Sequence, residues 1–264
     1  EEGHDGGKNI SLYTTLLTMY AKCGMLDRSQ ELFDELLVDM YAKCGALTLA
    51  KQAFDNIRVR DVVSWTALII GYSEYGQGEK ALEYFDQMQA EGVSPNAITF
   101  MASLKACGGI QATSKGRDIH AEIERWGGVS MKTDPFVGSI LVDMHVKCGS
   151  LAKAQNVFDN LPVKNIVSWN ALMIGYSNHG HSETALKYLE QLQLRGILPN
   201  CTTYMCCLRA CASTGAIDKG QYIHAEIQRQ GLLEGDSIIG SALVDMYVKC
   251  SLLADAEKMF DKLP

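Results

Sequence analysis

The chain repeats itself, and this self-similarity constrains its fold more than any other feature. The stretch VVSWTALIIGYSEYGQGEKALEYFDQMQAEGVSPN at 62–96 recurs as IVSWNALMIGYSNHGHSETALKYLEQLQLRGILPN at 166–200. Trp65 and Trp169 mark the same point of the two copies, 104 positions apart. Each copy contains two stretches of helical periodicity that glycines separate and that a Gly and a Pro close. Repeats of this length predict an array in which each unit packs only against its neighbours.

Two further repeat types lie between these copies. One type carries an Ala-Cys pair and the run IHAEI, and the other carries LVDM followed by VKC. The three types alternate in a fixed order, so we predict an all-α fold, a right-handed α-solenoid of helix–turn–helix hairpins. The predicted segments are an N-terminal tail (1–9), a short-type repeat (10–36), a truncated short-type repeat (37–61), an ordinary repeat (62–96), a long repeat (97–134), a short repeat (135–165), an ordinary repeat (166–200), a long repeat (201–236) and an incomplete short repeat (237–264).

The truncated repeat is irregular because Leu37 begins LVDMYAKCG directly after FDEL. The matching runs at 140–146 and 242–248 each follow the front half of a first helix, which the segment at Leu37 lacks. We therefore predict that the array is interrupted between Glu35 and Leu37, by a deletion or a missing segment.

Composition limits the classes of function. The formal net charge of −7 argues against a nonspecific nucleic-acid binder, which is usually basic. No apolar run reaches the roughly 18 residues of a membrane-spanning helix, so no membrane partner is expected. The nine cysteines are an odd number, and Cys44, Cys148 and Cys250 recur at one repeat position, which predicts reduced helix residues in an intracellular protein. The acidic, glycine-rich start does not read as a targeting peptide.

The alternation of VVSWTALIIGY, FMASLKACGG with GRDIHAEI, and VGSILVDMHVKCGSLAKAQNVFDNLP resembles the plant pentatricopeptide repeat family. More narrowly, it resembles the subclass in which ordinary, long and short repeats rotate. The resemblance covers nearly everything from Ile10 to Pro264, and it implies a protein that acts on organellar RNA. In such helical repeats, two or three side chains of one repeat read the edge of one splayed-out base.

The resemblance also implies which residues read RNA. The readers are the fifth residue of the first helix and the last residue of the repeat, and an apolar second residue wedges the base. The base-reading residues are Thr66 with Asn96, Ser139 with Asn165, Asn170 with Asn200, and, with their second partners uncertain or missing, Thr14 and Ser241. The base-wedging residues are Val63, Phe136, Val167 and Ile238.

In the family, Thr or Ser with Asn resembles an adenine reader, and Asn with Asn a pyrimidine reader. The long repeats carry Met101 with Asp134 and Met205 with Asp236, from which little discrimination is expected. The implied footprint along Thr66 to Asn200 is adenine, any base, adenine, pyrimidine. A structural role remains open for each residue, because Asn and Thr at helix starts are often caps.

Two motifs resemble catalytic ones, but the surrounding sequence argues against catalysis. His120-Ala-Glu122 and His224-Ala-Glu226 spell the H-x-E that opens the zinc deaminase signature, but both lie at one repeat position and the chain has no C-x-x-C. His179 and His181 lie in a predicted turn, and the two repeat tryptophans are expected in the hairpin core. We predict no metal, no cofactor and no enzyme activity within this chain.

Two functions remain. The first is sequence-selective binding of single-stranded RNA, as the recognition part of a mitochondrial or chloroplast RNA editing or processing factor that recruits a deaminase. The second is a protein-interaction scaffold or a structural subunit of an organellar ribonucleoprotein or polymerase assembly. The acidic net charge favours the scaffold function, whereas repeats of different lengths in a fixed order favour RNA binding.

Overall fold

The computed structural model describes residues 19, 22–23, 26–126, 128–233 and 237–261, and within these ranges the regular elements are helices joined by short turns, with no strand. None of the described helices is both long and apolar enough to cross a membrane. The helices are α1 (Leu26–Lys43), α2 (Leu47–Asn56), α3 (Val62–Glu74), α4 (Gly78–Ala90), α5 (Ala97–Gly109), α6 (Thr113–Trp126), α7 (Gly128–Thr133), α8 (Pro135–Lys147), α9 (Leu151–Asn160), α10 (Ile166–Asn178), α11 (Ser182–Leu194), α12 (Cys201–Thr214), α13 (Ile217–Arg229), α14 (Ser237–Lys249) and α15 (Leu253–Phe260).

Most hairpin turns form where the sequence places glycine, whereas Gln111 and Ser251 take the left-handed conformation in two others. In the first complete hairpin, Gly76 follows α3 with φ +75°, a left-handed conformation that a residue with a Cβ adopts only at a cost. Gly78 begins α4, and a Cβ there would lie 2.7 Å from Cγ2 of Ile110 on the next hairpin. Glycine is therefore needed once for backbone conformation and once for close packing of neighbouring hairpins.

The chain forms two compact units, the first ending at Ile123 and the second beginning at Glu124. In the first unit, α3 packs against its hairpin partner α4 and also against the first helices α1 and α5. Its indole, Trp65, is fully buried, with ring centroids 4.7 Å from Phe54 and 6.4 Å from Tyr84. Aromatic contacts of this kind add about 0.5–1.5 kcal/mol each to the burial of apolar area.

The second unit repeats this arrangement. Its helix α10 packs against α11 and against the first helices α8 and α12. Trp169 is 1% exposed and lies 4.8 Å from Phe158 and 5.8 Å from Tyr188, centroid to centroid. The prediction that the two tryptophans belong to the hairpin core is confirmed.

Two irregular segments show how repeats of unequal length are joined. Helix α1 is 18 residues long and runs without a break through Glu35 and Leu37, so the second helix of one repeat passes directly into the truncated first helix of the next. The intervening DELLVDM has neither glycine nor proline, so nothing in it ends a helix. Within the predicted long repeat 97–134, the chain forms a short additional helix, α7.

Candidate nucleic-acid interface

The asparagine predicted to end each base-reading repeat is the N-cap of the next first helix. The side-chain Oδ1 of Asn96, Asn165 and Asn200 accepts a hydrogen bond from the backbone N–H three residues on, at 2.9, 2.9 and 3.0 Å. This satisfies one of the N–H groups that a helix start leaves without an intrahelical partner. The capping role that the sequence left open is therefore real. Capping uses Oδ1 and leaves the two protons of Nδ2 for other acceptors; at Asn165, one of them goes to the backbone oxygen of Pro135 at 3.3 Å.

The fifth residues of the first helices lie beside these caps. Thr66, Ser139 and Asn170 are 6%, 2% and 7% exposed, and each occupies the contact between its own helix and the next first helix. Ser139 Oγ lies within hydrogen-bond distance of two acceptors, the backbone oxygen of Pro135 at 2.6 Å and Asn165 Oδ1 at 2.9 Å. Asn170 Nδ2 donates to Asn200 Oδ1 at 3.0 Å. The structure thus brings together two of the three predicted reader pairs by direct hydrogen bonds.

The third pair is joined through a residue that the sequence analysis did not single out. Thr66 Oγ1 lies 2.7 Å from Thr99 Oγ1, and Thr99 Oγ1 donates to Asn96 Oδ1 at 3.0 Å. Thr203 has the same place beside Asn200 in the second unit. Both threonines are fully buried. Their signal in the sequence is a capping box, Asn followed three residues later by Thr, whose side chain pairs with the backbone of the cap.

The predicted wedging residues are exposed apolar side chains. They are the second residues of α3, α8, α10 and α14: Val63, Phe136, Val167 and Ile238, exposed by 51%, 65%, 53% and 61%. A second and a fifth residue are three positions apart, so they share one helix face. Ile98, the second residue of α5 and 52% exposed, belongs to the same set and was missed. A flat apolar side chain beside a polar pair is suited to contact the face of a base while the pair meets its edge.

The remaining predicted residues divide into three groups. Thr14 and Asp236 lie outside the described residues. Ser241 is the exposed fifth residue of α14. Met101 and Met205, the fifth residues of the long repeats, are half-buried, whereas Asp134 caps α8 by accepting from Phe136 N at 2.7 Å.

The charges on the first helices are arranged in local pairs. Lys43, Lys147 and Lys249 each lie 2.7–2.8 Å from an aspartate one turn earlier on the same helix. Exposed pairs of this kind contribute little to stability, and they cancel much of the positive charge that a phosphate backbone would meet. Selective contacts, rather than bulk attraction, are what this surface offers a nucleic acid.

The second H-x-E motif has its two side chains in separate contacts. His224 Nδ1 lies 2.7 Å from Tyr247 Oη, and Glu226 pairs with Arg229 at 2.7 Å, so the two side chains have separate partners. Arg229 lowers the pKa of Glu226, whereas a proton-transferring carboxyl near neutral pH needs a raised one. Throughout the described part of the chain, no three His, Cys, Asp or Glu side chains are grouped to hold a metal ion.

Comparisons with known proteins identify the family. Residues 60–109 and 164–213 match the model of the PPR repeat family, and residues 11–39 and 241–264 match that of the PPR repeat. A chloroplastic pentatricopeptide repeat-containing protein of Arabidopsis thaliana is 36% identical over 256 residues, which cover 97% of this chain and 37% of that protein. A mitochondrial one from the same plant is 36% identical over 258 residues, covering 97% and 36%. The chain therefore spans little more than a third of the length of these relatives.

Solved structures agree on the fold. The pentatricopeptide repeat protein PPR10 in complex with an 18-nucleotide psaJ RNA element aligns with a TM-score of 0.72 at 16% identity, covering 95% of this chain and 37% of that one. PPR10 from maize aligns with a TM-score of 0.53 at 19% identity, covering 95% and 43%. The predicted α-solenoid fold class is confirmed. With its repeats matched by both family models over more than half of its length, the chain belongs to the pentatricopeptide repeat family.

Proposed function

We propose that the chain binds single-stranded RNA and reads one base with each of the pairs Thr66/Asn96, Ser139/Asn165 and Asn170/Asn200. The repeats would belong to the subclass with alternating ordinary, long and short types, with the boundaries that the sequence predicts. Val63, Phe136 and Val167 would contact the base faces. The proposed footprint is adenine, any base, adenine, pyrimidine.

One observation carries the proposal. At each of the three repeats, a buried fifth residue is hydrogen-bonded, directly or through one threonine, to the asparagine that ends the repeat, and an exposed apolar side chain lies three residues before it. A helix packed only for stability has no need of an exposed Phe136 beside a polar pair. Such a pair can donate to and accept from a base edge, which is how single-stranded RNA is read in repeat proteins. PPR10, which shares the fold, has been solved bound to RNA.

We place the protein in a plant organelle, because its Arabidopsis relatives are chloroplastic or mitochondrial proteins. Its role there would be the recognition part of an RNA editing or RNA-processing factor. The chemical step would come from a deaminase or another processing protein, either in the rest of the polypeptide or in a partner.

The test is binding to a panel of fluorescently labelled RNA oligomers that differ at one footprint position at a time, followed by anisotropy at fixed salt. A base pairing of good geometry discriminates by about 1–3 kcal/mol, by analogy with groove contacts in DNA. We therefore expect affinity to fall about fivefold or more when a preferred base is replaced at the first, third or fourth position. Replacement at the second position should change it little.

Equal affinity for every oligomer would exclude base reading by these residues. Absence of binding to any of them would favour the scaffold function, for which the net charge of −7 is the supporting feature. Salt must be held constant throughout, because affinity for a nucleic acid falls steeply with ionic strength.

A further inference from the structure

We infer that Thr99 and Thr203, the third residues of the long-repeat first helices, are positioning residues that determine which hydrogen-bonding groups the reader pairs present to a base. The inference rests on the proposed function. It concerns two residues that belong to the repeat after the one whose base they would influence.

At the first pair, the hydroxyl of Thr99 both donates and accepts a hydrogen bond. It donates to Asn96 Oδ1 at 3.0 Å and accepts from the backbone N–H of Asn96 at 3.3 Å. Its remaining contact is Thr66 Oγ1, at 2.7 Å. That contact allows either hydroxyl to donate, and when the single Thr99 proton goes to Asn96 Oδ1, Thr66 is the donor.

The direction of these hydrogen bonds determines which groups the first pair can offer to a base. In this arrangement the Thr66 proton is used towards Thr99, and Thr66 Oγ1 accepts from a base. Asn96 Oδ1 is occupied by Thr99 N at 2.9 Å and by the Thr99 hydroxyl, which leaves Nδ2 as a donor. The pair therefore presents one acceptor and one donor. The amino group and a ring nitrogen of adenine supply the complementary donor and acceptor.

At the second pair, the same hydroxyl donates in a different direction. Asn200 Oδ1 already accepts from Thr203 N at 3.0 Å and from Asn170 Nδ2 at 3.0 Å. Thr203 Oγ1 lies 2.7 Å from Asn170 Oδ1 and 2.9 Å from Asn200 Oδ1, and with its single proton it donates to the nearer, less occupied oxygen, that of Asn170. Thr203 thereby fixes which end of the Asn170 amide faces the neighbouring helix. One Nδ2 proton and part of Oδ1 then face the base.

The pair Ser139/Asn165 provides an internal comparison without such a relay. The third residue of the following helix is Ser168, whose Oγ donates to the backbone oxygen of Asn165 at 2.8 Å. Ser139 Oγ instead contacts Asn165 Oδ1 directly, at 2.9 Å. The hydroxyl of Ser168 is thus engaged with the backbone, and the threonines at the other two pairs are engaged with the reader side chains.

The test compares Thr203→Val, Thr203→Ser and the control Ser168→Ala with the unaltered chain, each against RNA oligomers that vary at the base read by Asn170/Asn200 or by Ser139/Asn165. We expect Thr203→Val to reduce discrimination at the Asn170/Asn200 base to less than about threefold, because the Asn170 amide can then rotate. Thr203→Ser keeps the hydroxyl and should restore discrimination. Ser168→Ala should leave discrimination at the Ser139/Asn165 base unchanged.

A second measurement separates this inference from the proposed function, because it needs no RNA. In the unaltered chain, the side-chain amide protons of Asn170 should exchange slowly with solvent and show nuclear Overhauser contacts to Asn200. In Thr203→Val the exchange should become faster and these contacts should be lost. Full discrimination by Thr203→Val, or an Asn170 amide unchanged in that variant, would overturn the inference. An unaltered chain with an ordered Asn170 amide but no base preference would overturn only the proposed function.

Discussion

Asn170 donates from Nδ2 to Oδ1 of Asn200 at 3.0 Å, although 30 positions of sequence separate them. The contact exists because first helices pack against first helices, so the fifth residue of α10 meets the cap of α12. One asparagine therefore serves two purposes, capping a helix with its oxygen and completing a polar pair with its neighbour. Predictions about this surface must separate the effect on helix stability from the effect on base reading.

Asn170→Thr should shift the preferred base at its position from a pyrimidine to adenine. A threonine there can reach Thr203 as Thr66 reaches Thr99, which would convert the pair to the chemistry of the first repeat. The change in relative affinity should be about 1–3 kcal/mol, read from anisotropy titrations with matched oligomers. The reciprocal Thr66→Asn should move its own base towards a pyrimidine. An unchanged preference in both variants would show that the fifth residues do not read bases.

Phe136→Ala should weaken RNA binding with little loss of stability, because the ring is 65% exposed. Stacking of a base on an aromatic side chain contributes about 1–3 kcal/mol to binding, so the dissociation constant should rise at least about fivefold. The matched control is Phe158→Ala, which removes a ring packed 4.8 Å from Trp169 and should lower the free energy of unfolding by about 3–5 kcal/mol. Normal RNA affinity for Phe136→Ala would remove this residue from the proposed interface.

Asn200→Ser should preserve helix α12 and abolish discrimination at the base read by Asn170/Asn200. Serine caps helices about as well as asparagine does, so the melting temperature should change little. Serine has no amide, however, and the donor that faces the base is lost. Asn200→Ala would lose the cap as well and should cost about 1 kcal/mol of stability. Retained discrimination in Asn200→Ser, measured on the same oligomer panel, would contradict the role of its amide.

The cysteines should fall into two classes of reactivity. Burial raises the pKa of the Cys206 thiol to about 11 and that of Cys211 to about 12, whereas Cys44 is exposed. At pH 8, a maleimide reagent should label Cys44 rapidly and should label Cys206 and Cys211 only after unfolding. Mass spectrometry of the labelled peptides measures both rates.

The same thiols give a pH dependence. Their pKa values are raised in the folded chain above the ordinary 9.0, so the unfolded chain loses these protons first as the pH rises. Their contribution to the free energy of unfolding is complete below about pH 9 and declines as the pH rises towards about 11 for Cys206 and about 12 for Cys211. A thermal denaturation series at pH 8, 9 and 10 in Cys206→Ala and in the unaltered chain should show a smaller decline for the variant. Equal declines would assign the alkaline loss to other groups.

Much of this protein could be predicted from its sequence because repeats multiply the evidence. Helical periodicity, glycines in most hairpin turns and the recurring Trp65 and Trp169 indicated the hairpins, and Trp65 proved to be fully buried. The second residues Val63 and Val167 were identified through the family resemblance, and both are exposed. These properties are local, being set by spacing along one helix or one turn.

Contacts between hairpins could not be read in the same way. The partnership of Thr66 with Thr99, and the reach of Thr203 to both Asn170 and Asn200, depend on how far one first helix lies from the next. Helix α1 likewise runs unbroken through Glu35 and Leu37, where the repeat pattern indicated an interruption of the array. The helix continues because this segment contains good helix formers. The sequence by itself determined the hairpins, their order and the face each helix exposes, because those follow from periodicity. Only the tertiary structure decided which donors and acceptors are used inside the array and which remain for a ligand, because a hydrogen bond between hairpins depends on tenths of an ångström of packing distance.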